Sequence, residues 1–529
     1  MLREEIAKIV QKSLKNLQEK EVFLKFPFPE IDIGHPKEGT HGDYATNVAF
    51  QISRYLKKNP LEIGETIKLA ILKIEPNLFE KIEVIKPGFI NFFLSPKYLQ
   101  LRVKEILNEG ERFGKVNIGK SEKVNLEFIS ANPTGPLTLG NGRGGFCGDV
   151  LANILEKSGF KVIREYYIND KGGQIRALGH SVMGDELAVY KGDYIEELKK
   201  KVKGDNPDEV GQEAARIILE EMIKPTLKKM GIEYDVWTSE KKLYEDKEVE
   251  KILSFLKKKK LTFEKEGALW FASSKFGDDK DRVLITADGE SVYFLSDIAY
   301  LKNKLDRGFN KLIFFWGADH HGYIGRIIAA AEALGFSREK VKIIIMQLVK
   351  LFKEGKEVRM SKRAGVYVTL NELIDEVGLD VARFFFLERA PGSHLNFDLD
   401  LARERSEKNP VYYIQYAHAR ICSILRKAEN LEFRNKNLEL LKHPSELALM
   451  KELIILPEIV VDTAKDYQIQ RLPQYAKDLA AFFHQFYRDC QVLTDNKELK
   501  EARLSLITAT QIALKNTLGL MGISAPEKM

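Results

Sequence analysis

The sequence predicts an α/β multidomain chain: a doubly wound, Rossmann-like parallel-sheet domain with a helical insertion, an α+β domain before it and an all-α domain after it. Three observations lead there. From residue 123 short apolar runs alternate with helix-like runs; a Lys/Glu-rich stretch at about 177–281 interrupts them; and beyond about residue 403 only helical periodicity remains. At 529 residues the chain exceeds a single hydrophobic core, and these changes of texture set divisions at 1–115, 116–402 and 403–529.

Residues 1–115 read as two helices, about 2–18 and 43–58, beside the strand-like run FEKIEVIKPGFINFFL. In the middle unit the strand KVNLEFIS leads into a helix at about 142–157 and then the strand FKVIREYYI. After the interruption come the strand SVYFLS, the helix DIAYLKNKL, the strand KLIFFW, the helix GRIIAAAEALGF and the strand VKIIIMQLV. Sheets of this kind bind ligands at the carboxyl ends of their strands. SANPTGPLTLGN, WGADHH and the segment after IIIMQLV all fall at those ends. The last unit reads as four helices, YYIQYAHARICSILRKA, SELALMKELIILPEIVVDTAKD, LPQYAKDLAAFFHQFYRDCQVL and ARLSLITATQIALKNTLGLMG, with Phe482 and Phe486 as core positions.

Composition narrows the function classes. Hydrophobic residues make up 44% and charged residues 30%, and no apolar run approaches a membrane span. The start, MLREEIAKIVQK, is charged and amphipathic, with no signal-peptide core. Cys147, Cys422 and Cys490 lie far apart without a C-x-x-C pair, which argues against structural zinc or a disulfide framework and for a reducing, cytoplasmic setting. A net charge of +6 permits a polyanionic partner without requiring one.

Chemistry concentrates in SANPTGPLTLGNGRGG, residues 130–145, a strand–loop–helix junction. Its helix N-terminus offers unpaired N–H groups to an anion, Gly140 lets a ligand approach the backbone, and Thr138 and Asn141 add short polar groups. A plain loop with a capping residue is the other reading of that stretch. The second stretch, EGKEVRMSKRAG, is a basic, Gly-flanked loop in which Arg359, Met360, Ser361 and Lys362 would clamp a polyphosphate; a solvated turn is the alternative. In Trp316-Gly317-Ala318-Asp319-His320-His321 the neighbouring histidines point apart and lack a third ligand at metal spacing, so no metal site is expected.

Taken together, the two stretches resemble the His-x-Gly-His and Lys-Met-Ser-Lys signatures of class I aminoacyl-tRNA synthetases. SANPTGPL, GDVLANILEKSG, REYYINDKGGQI, YDVWTSE, FGDDKDRVL, FLSDIAYL, WGADHHGYIGR, RMSKRAG, DVARFFFLERAP, NPVYYIQYAHARICSI, FHQFYRDC and SAPEKM resemble arginyl-tRNA synthetase of the bacterial type over essentially the whole chain. Thr138 and Asn141 stand where the first signature has histidines, and Arg359 where the second begins with lysine. Threonine and asparagine still donate hydrogen bonds, Arg359 keeps its charge and Lys362 is present.

The resemblance implies an arginine–tRNA ligase that activates L-arginine with ATP and substrate-bound Mg2+, then transfers it to the terminal adenosine of tRNA(Arg). It implies catalytic roles for Thr138, Gly140, Asn141, Arg359, Ser361 and Lys362. Glu127, Asn132, Tyr293 and Asp297 would bind arginine, the carboxylates meeting a cation that cannot shed its charge. Gly140, Gly317, Asp319, His320, Met360 and Lys362 would bind ATP, and Tyr413, Arg420, Tyr487 and Met529 the anticodon. The N-terminal domain would contact the tRNA elbow, and a cytoplasmic monomer is expected. A tRNA-binding paralogue without catalysis, and a class I enzyme of other specificity, are the competing readings.

Overall fold

A computed structural model describes residues 1–358, 369–428 and 437–529. In the N-terminal unit, Tyr44–Thr46 (β1), Phe79–Ile85 (β2) and Phe89–Leu94 (β3) form an antiparallel sheet in the order β1-β3-β2. Helices Val48–Leu56 and Pro60–Ile74 pack on it, burying Ile52 and Ile67, and Leu2–Glu19 packs on Pro60–Ile74, burying Ile6 and Val10. The stretch read as one helix at 43–58 is divided. Asp43 accepts a hydrogen bond from the Leu94 N–H and β1 pairs with β3, so the helix begins only after Asn47.

The central sheet begins with Lys123–Glu127 (β4), Lys161–Ile168 (β5) and Val236–Ser239 (β6). Next come Thr262–Lys265 (β7), Ala268–Phe271 (β8) and Arg282–Ile285 (β9), which form their own antiparallel sheet. Lys311–Gly317 (β10) and Val341–Met346 (β11) complete the central sheet, whose parallel order is β11-β10-β4-β5-β6. The winding reverses between β4 and β10, and the crevice at their carboxyl ends is the switch point where such folds bind ligands.

Two readings of the middle unit need correction. The segment 177–281 carries helices Asp193–Lys201, Pro207–Ile218 and Glu248–Lys258, but also an edge strand, β6, and the β7–β8 hairpin. Glu266 and Gly267 both adopt positive φ there, as a two-residue hairpin turn demands. SVYFLS is not a strand. Its last four residues open the helix Tyr293–Asp306, which buries Phe294, Leu295, Ile298 and Leu301 at helical spacing, while the strand lies earlier, at β9.

The helix Leu139–Lys157 lies under the crevice, and side chains at Gly142, Gly145 and Gly148 would meet Leu370, Ile129 and Phe128 within 2.7 Å. Downstream, Val349–Lys353 (β12), Lys356–Val358 (β13) and Leu395–Asp398 (β14) make a small sheet. Arg383, almost wholly buried, donates to Asp149 Oδ2 and to the carbonyls of Met230, Gly231 and Met521, joining four distant segments. The final unit is helical: Pro410–Lys427, Pro444–Leu453, Leu456–Asp466, Arg471–Asp489 and Lys497–Leu520. The stretch SELALMKELIILPEIVVDTAKD is two helices, because Pro457 starts a new one. No helix among the described residues is long and apolar enough to cross a membrane.

Candidate active site

A cavity of about 490 Å³ opens at the switch point, lined by Glu127, Asn132, Tyr167, Tyr293, Asp297, Tyr300, Trp316, Gly317, His320 and Tyr323 among others. Four residues sequence reasoning assigned to arginine therefore share one chamber, together with Gly317 and His320. Directly after β4 the chain kinks, with Ile129 and Ser130 at φ of 65° and 38°. A β-branched residue rarely adopts that conformation, and such strain collects at functional sites. Here the kink turns Ser130 back, so that its hydroxyl donates to Glu127 Oε1 at 3.1 Å and accepts from the Tyr167 N–H.

Glu127 is buried and held on both oxygens. Tyr300 OH and Lys304 Nζ donate to its Oε2 at 2.8 and 2.7 Å. Asp297 receives a hydrogen bond from Tyr323 OH and pairs with no cation among the described residues. Burial, with Glu240 and Glu127 nearby, pushes its carboxyl up to about 7 despite that bond. Asn132 lies between Gln174 and Asn169, donating to the first and accepting from the second. Tyr293 stands at the rim, 59% exposed, and its hydroxyl accepts from the Gly173 N–H.

Beside this chamber lies a second cavity of about 630 Å³, lined by Asn132, Thr138, Asn141, Tyr190, Tyr194, Gly317, Asp319 and His320. Asn141 Oδ1 accepts from both the N–H and the hydroxyl of Thr138 at 2.9 Å. The interlock ties the carbonyl of the amide inward and leaves its NH2 for a ligand. A side chain at Gly140 would meet only Thr138 Oγ1, at 3.7 Å, so packing does not require that glycine and its face stays open. An open face beside a helix N-terminus suits a phosphate chain. Asp319 and His320 are exposed and face each other at 3.1 Å. No cluster of three or more His, Cys, Asp or Glu able to hold a metal occurs among the described residues.

Arg359, Met360, Ser361 and Lys362 lie outside the described residues. Their flanks are anchored near the site: β13 ends at Val358, and the next helix starts at Leu370, whose N–H donates to the Leu137 carbonyl. In the helical unit, the Arg420 guanidinium lies 5.3 Å from the Tyr416 ring and 5.4 Å from the Tyr487 ring, while Tyr413 packs on His484. Tyr416, Tyr487 and Met529 are exposed. Phe486 is fully buried, but Phe482 is 37% exposed, so its assignment to the core fails: it sits on the solvent side of its helix.

Sequence reasoning missed Tyr300, Lys304, Tyr323, Tyr167 and Glu240. Part of the signal was available. Tyr293, Asp297, Tyr300 and Lys304 form an i, i+4, i+7, i+11 stripe on one helix face. Tyr323, reached through a turn after β10, leaves no periodic trace.

Comparison with known proteins extends the geometry to the whole chain. Residues 4–94 match the arginyl tRNA synthetase N terminal domain, 102–186 and 193–393 the catalytic domain of class I (R) tRNA synthetases, and 414–529 the DALR anticodon binding domain. The arginine–tRNA ligase of Carboxydothermus hydrogenoformans is 45% identical over 526 residues, 94% of each chain. That of Bacillus licheniformis is 46% identical over 528 residues, 95% of each. The Thermus thermophilus arginyl-tRNA synthetase structure, 23% identical and covering 100% of both chains, shares the fold with a TM-score of 0.78. With three matching domains in order and close relatives along nearly its full length, the chain belongs to the arginyl-tRNA synthetases, class I ligases that join arginine to tRNA.

Proposed function

We propose that the two adjoining cavities divide the ligase reaction between them, arginine in the first and ATP in the second. The observation that carries this reading is Asp297: a carboxylate in the cavity wall with no cationic partner among the described residues, sited where a guanidinium would complete it. Asp297 takes the charge of the substrate side chain, Glu127 accepts a further N–H, Tyr293 covers the rim, and Asn132 with Gln174 holds the amino-acid head group. A pocket built this way leaves a carboxylate unpaired with a neutral analogue and so discriminates strongly against it.

ATP lies along Gly317, Asp319 and His320 with its phosphates over Gly140, and the Asn141 amide and helix N-terminus donate to them. Mg2+ arrives with the nucleotide and supplies countercharge. By resemblance Arg359, Met360, Ser361 and Lys362 close on the same phosphates. The arginine carboxylate attacks the α-phosphorus and pyrophosphate leaves; a ribose hydroxyl of the terminal adenosine of tRNA(Arg) then attacks the arginyl carbonyl of the adenylate and AMP leaves. The chain supplies position and charge stabilisation rather than a covalent nucleophile. Residues 1–115 contact the tRNA elbow, and Tyr413, Arg420, Tyr487 and Met529 the anticodon, whose splayed bases can stack on exposed rings. The three cysteines are buried free thiols, as a reducing cytoplasm leaves them.

Arginine-dependent exchange between ATP and pyrophosphate, with and without tRNA(Arg), tests the reading beside an Asn141→His variant. Exchange in the parent chain supports catalysis by the Thr138–Asn141 pair. No exchange despite tight tRNA binding would identify a binding paralogue, and recovery in Asn141→His would locate the defect.

A further inference from the structure

Beneath the arginine chamber lies a layer of charge that the reaction does not use directly. Lys304 has no exposed surface, yet it is a lysine on the core side of the Tyr293–Asp306 helix. Its Nζ donates to Glu127 Oε2 at 2.7 Å and to Asn125 Oδ1, stands 3.6 Å from Glu165 Oε2, and rests 4.5 and 4.7 Å from the Tyr300 and Phe314 rings. Glu165, equally buried, is taken up by Arg307 at 2.7 Å and by Thr238 Oγ1 at 2.6 Å. Lysine is almost never fully buried unless paired, so this arrangement has a specific partner to serve.

Two of the carboxylates are matched by cations. Lys304 answers Glu127 and Arg307 answers Glu165, while Glu240, behind the wall, accepts a hydrogen bond from Ser296 and burial raises its carboxyl above the usual range. Of the two carboxylates that line the chamber, Glu127 and Asp297, only Asp297 has no ion pair among the described residues. Asp297 thus faces the chamber without a countercharge, and a guanidinium is the group that would supply one.

We propose that Lys304 is a positioning residue that sets arginine specificity: a built-in countercation that cancels the charge of Glu127, fixes its orientation, and leaves Asp297 as the one carboxylate awaiting the guanidinium. This deepens the ligase reading and rests on it. Without Lys304 the chamber would hold two uncompensated carboxylates against one substrate cation. Without Glu127 the buried Lys304, left to share Glu165 with Arg307, would be in excess and repel the substrate.

The test is a charge-balanced pair of variants. Glu127→Gln leaves Lys304 with the Glu165 that Arg307 already neutralises, whereas Glu127→Gln/Lys304→Met removes both charges and leaves Asp297 as before. The expected result is that the double variant recovers the arginine KM of Glu127→Gln by about tenfold or more, while the ATP KM stays within about twofold throughout. A double variant no better than Glu127→Gln would overturn the proposal, because a purely structural Lys304 makes the second change neutral or harmful. Should Glu127→Gln fail to fold on thermal unfolding, the double variant is compared with the parent. An arginine KM within about tenfold of the parent supports the countercation, and a loss beyond about a hundredfold overturns it. Absence of arginine-dependent exchange in the parent chain would instead refute the ligase reading itself, whatever the variants do.

Discussion

The Tyr323 hydroxyl donates to Asp297 Oδ2, tying the turn after β10 to the second turn of the Tyr293–Asp306 helix. That bond aims the carboxylate into the chamber. Removing the hydroxyl in Tyr323→Phe should raise the arginine KM about tenfold, a charged hydrogen bond's worth, and leave the ATP KM unchanged. Steady-state kinetics with each substrate varied in turn checks the split.

Arginine affinity should depend on pH through the same carboxyl. In the empty chamber Asp297 is held up to about 7, and the guanidinium binds its ionised form. Affinity is therefore greatest above about pH 7 and falls as pH drops through that value, by up to about tenfold per unit. Calorimetric titration of arginine between about pH 6 and 8 follows it, with proton release on binding at the lower end. An affinity flat across that range would contradict the assignment.

Stability without arginine should run the opposite way. Because the folded-state pKa of Asp297 lies above its ordinary 3.8, the folded chain holds the proton more tightly than the unfolded one. The stability linked to this group is present at low pH and lost as pH rises through about 7. Asp297→Asn should thus be more stable than the parent at about pH 8, by on the order of 2 kcal/mol, while losing arginine activation. Thermal unfolding beside exchange kinetics would show the gain and the loss in one protein.

The Thr138–Asn141 interlock separates two functions of one side chain. Asn141→Asp keeps the oxygen that accepts from Thr138 but replaces the amide donors with negative charge. Helix stability should change by less than about 1 kcal/mol, whereas exchange activity should fall about a hundredfold or more. Equal losses in Asn141→Asp and Asn141→Ala would show that the amide donors are what matters. Retained activity in Asn141→Asp would dismiss them.

The sequence carried the catalytic sheet because its strands are long, apolar and punctuated by helices, so that β4, β5, β10 and β11 each left a clear run. It concealed β6 and the β7–β8 hairpin, whose four-residue strands are half exposed and embedded among lysines and glutamates. SVYFLS misled for a different reason: an apolar run of that length fits a strand or a helix start equally, and only packing decides. Within the site, Glu127 was visible as the end of a strand and Asp297 as one turn beyond Tyr293. Lys304 was not, since a lysine in LKNKL looks like a solvated face until the helix is rotated against Glu127.

Arg383 gives the chain a timetable. Its guanidinium needs Asp149, the carbonyls of Met230 and Gly231, and that of Met521, a residue made 138 positions later. A ribosome emitting this chain completes the nucleotide-binding sheet early, yet one acceptor of the buried Arg383 is still unsynthesised. The catalytic unit can reach final packing only when the last long helix has docked. A newly made synthetase therefore matures from its far end inward, and nascent fragments without that helix would be poor at handling amino acid or ATP.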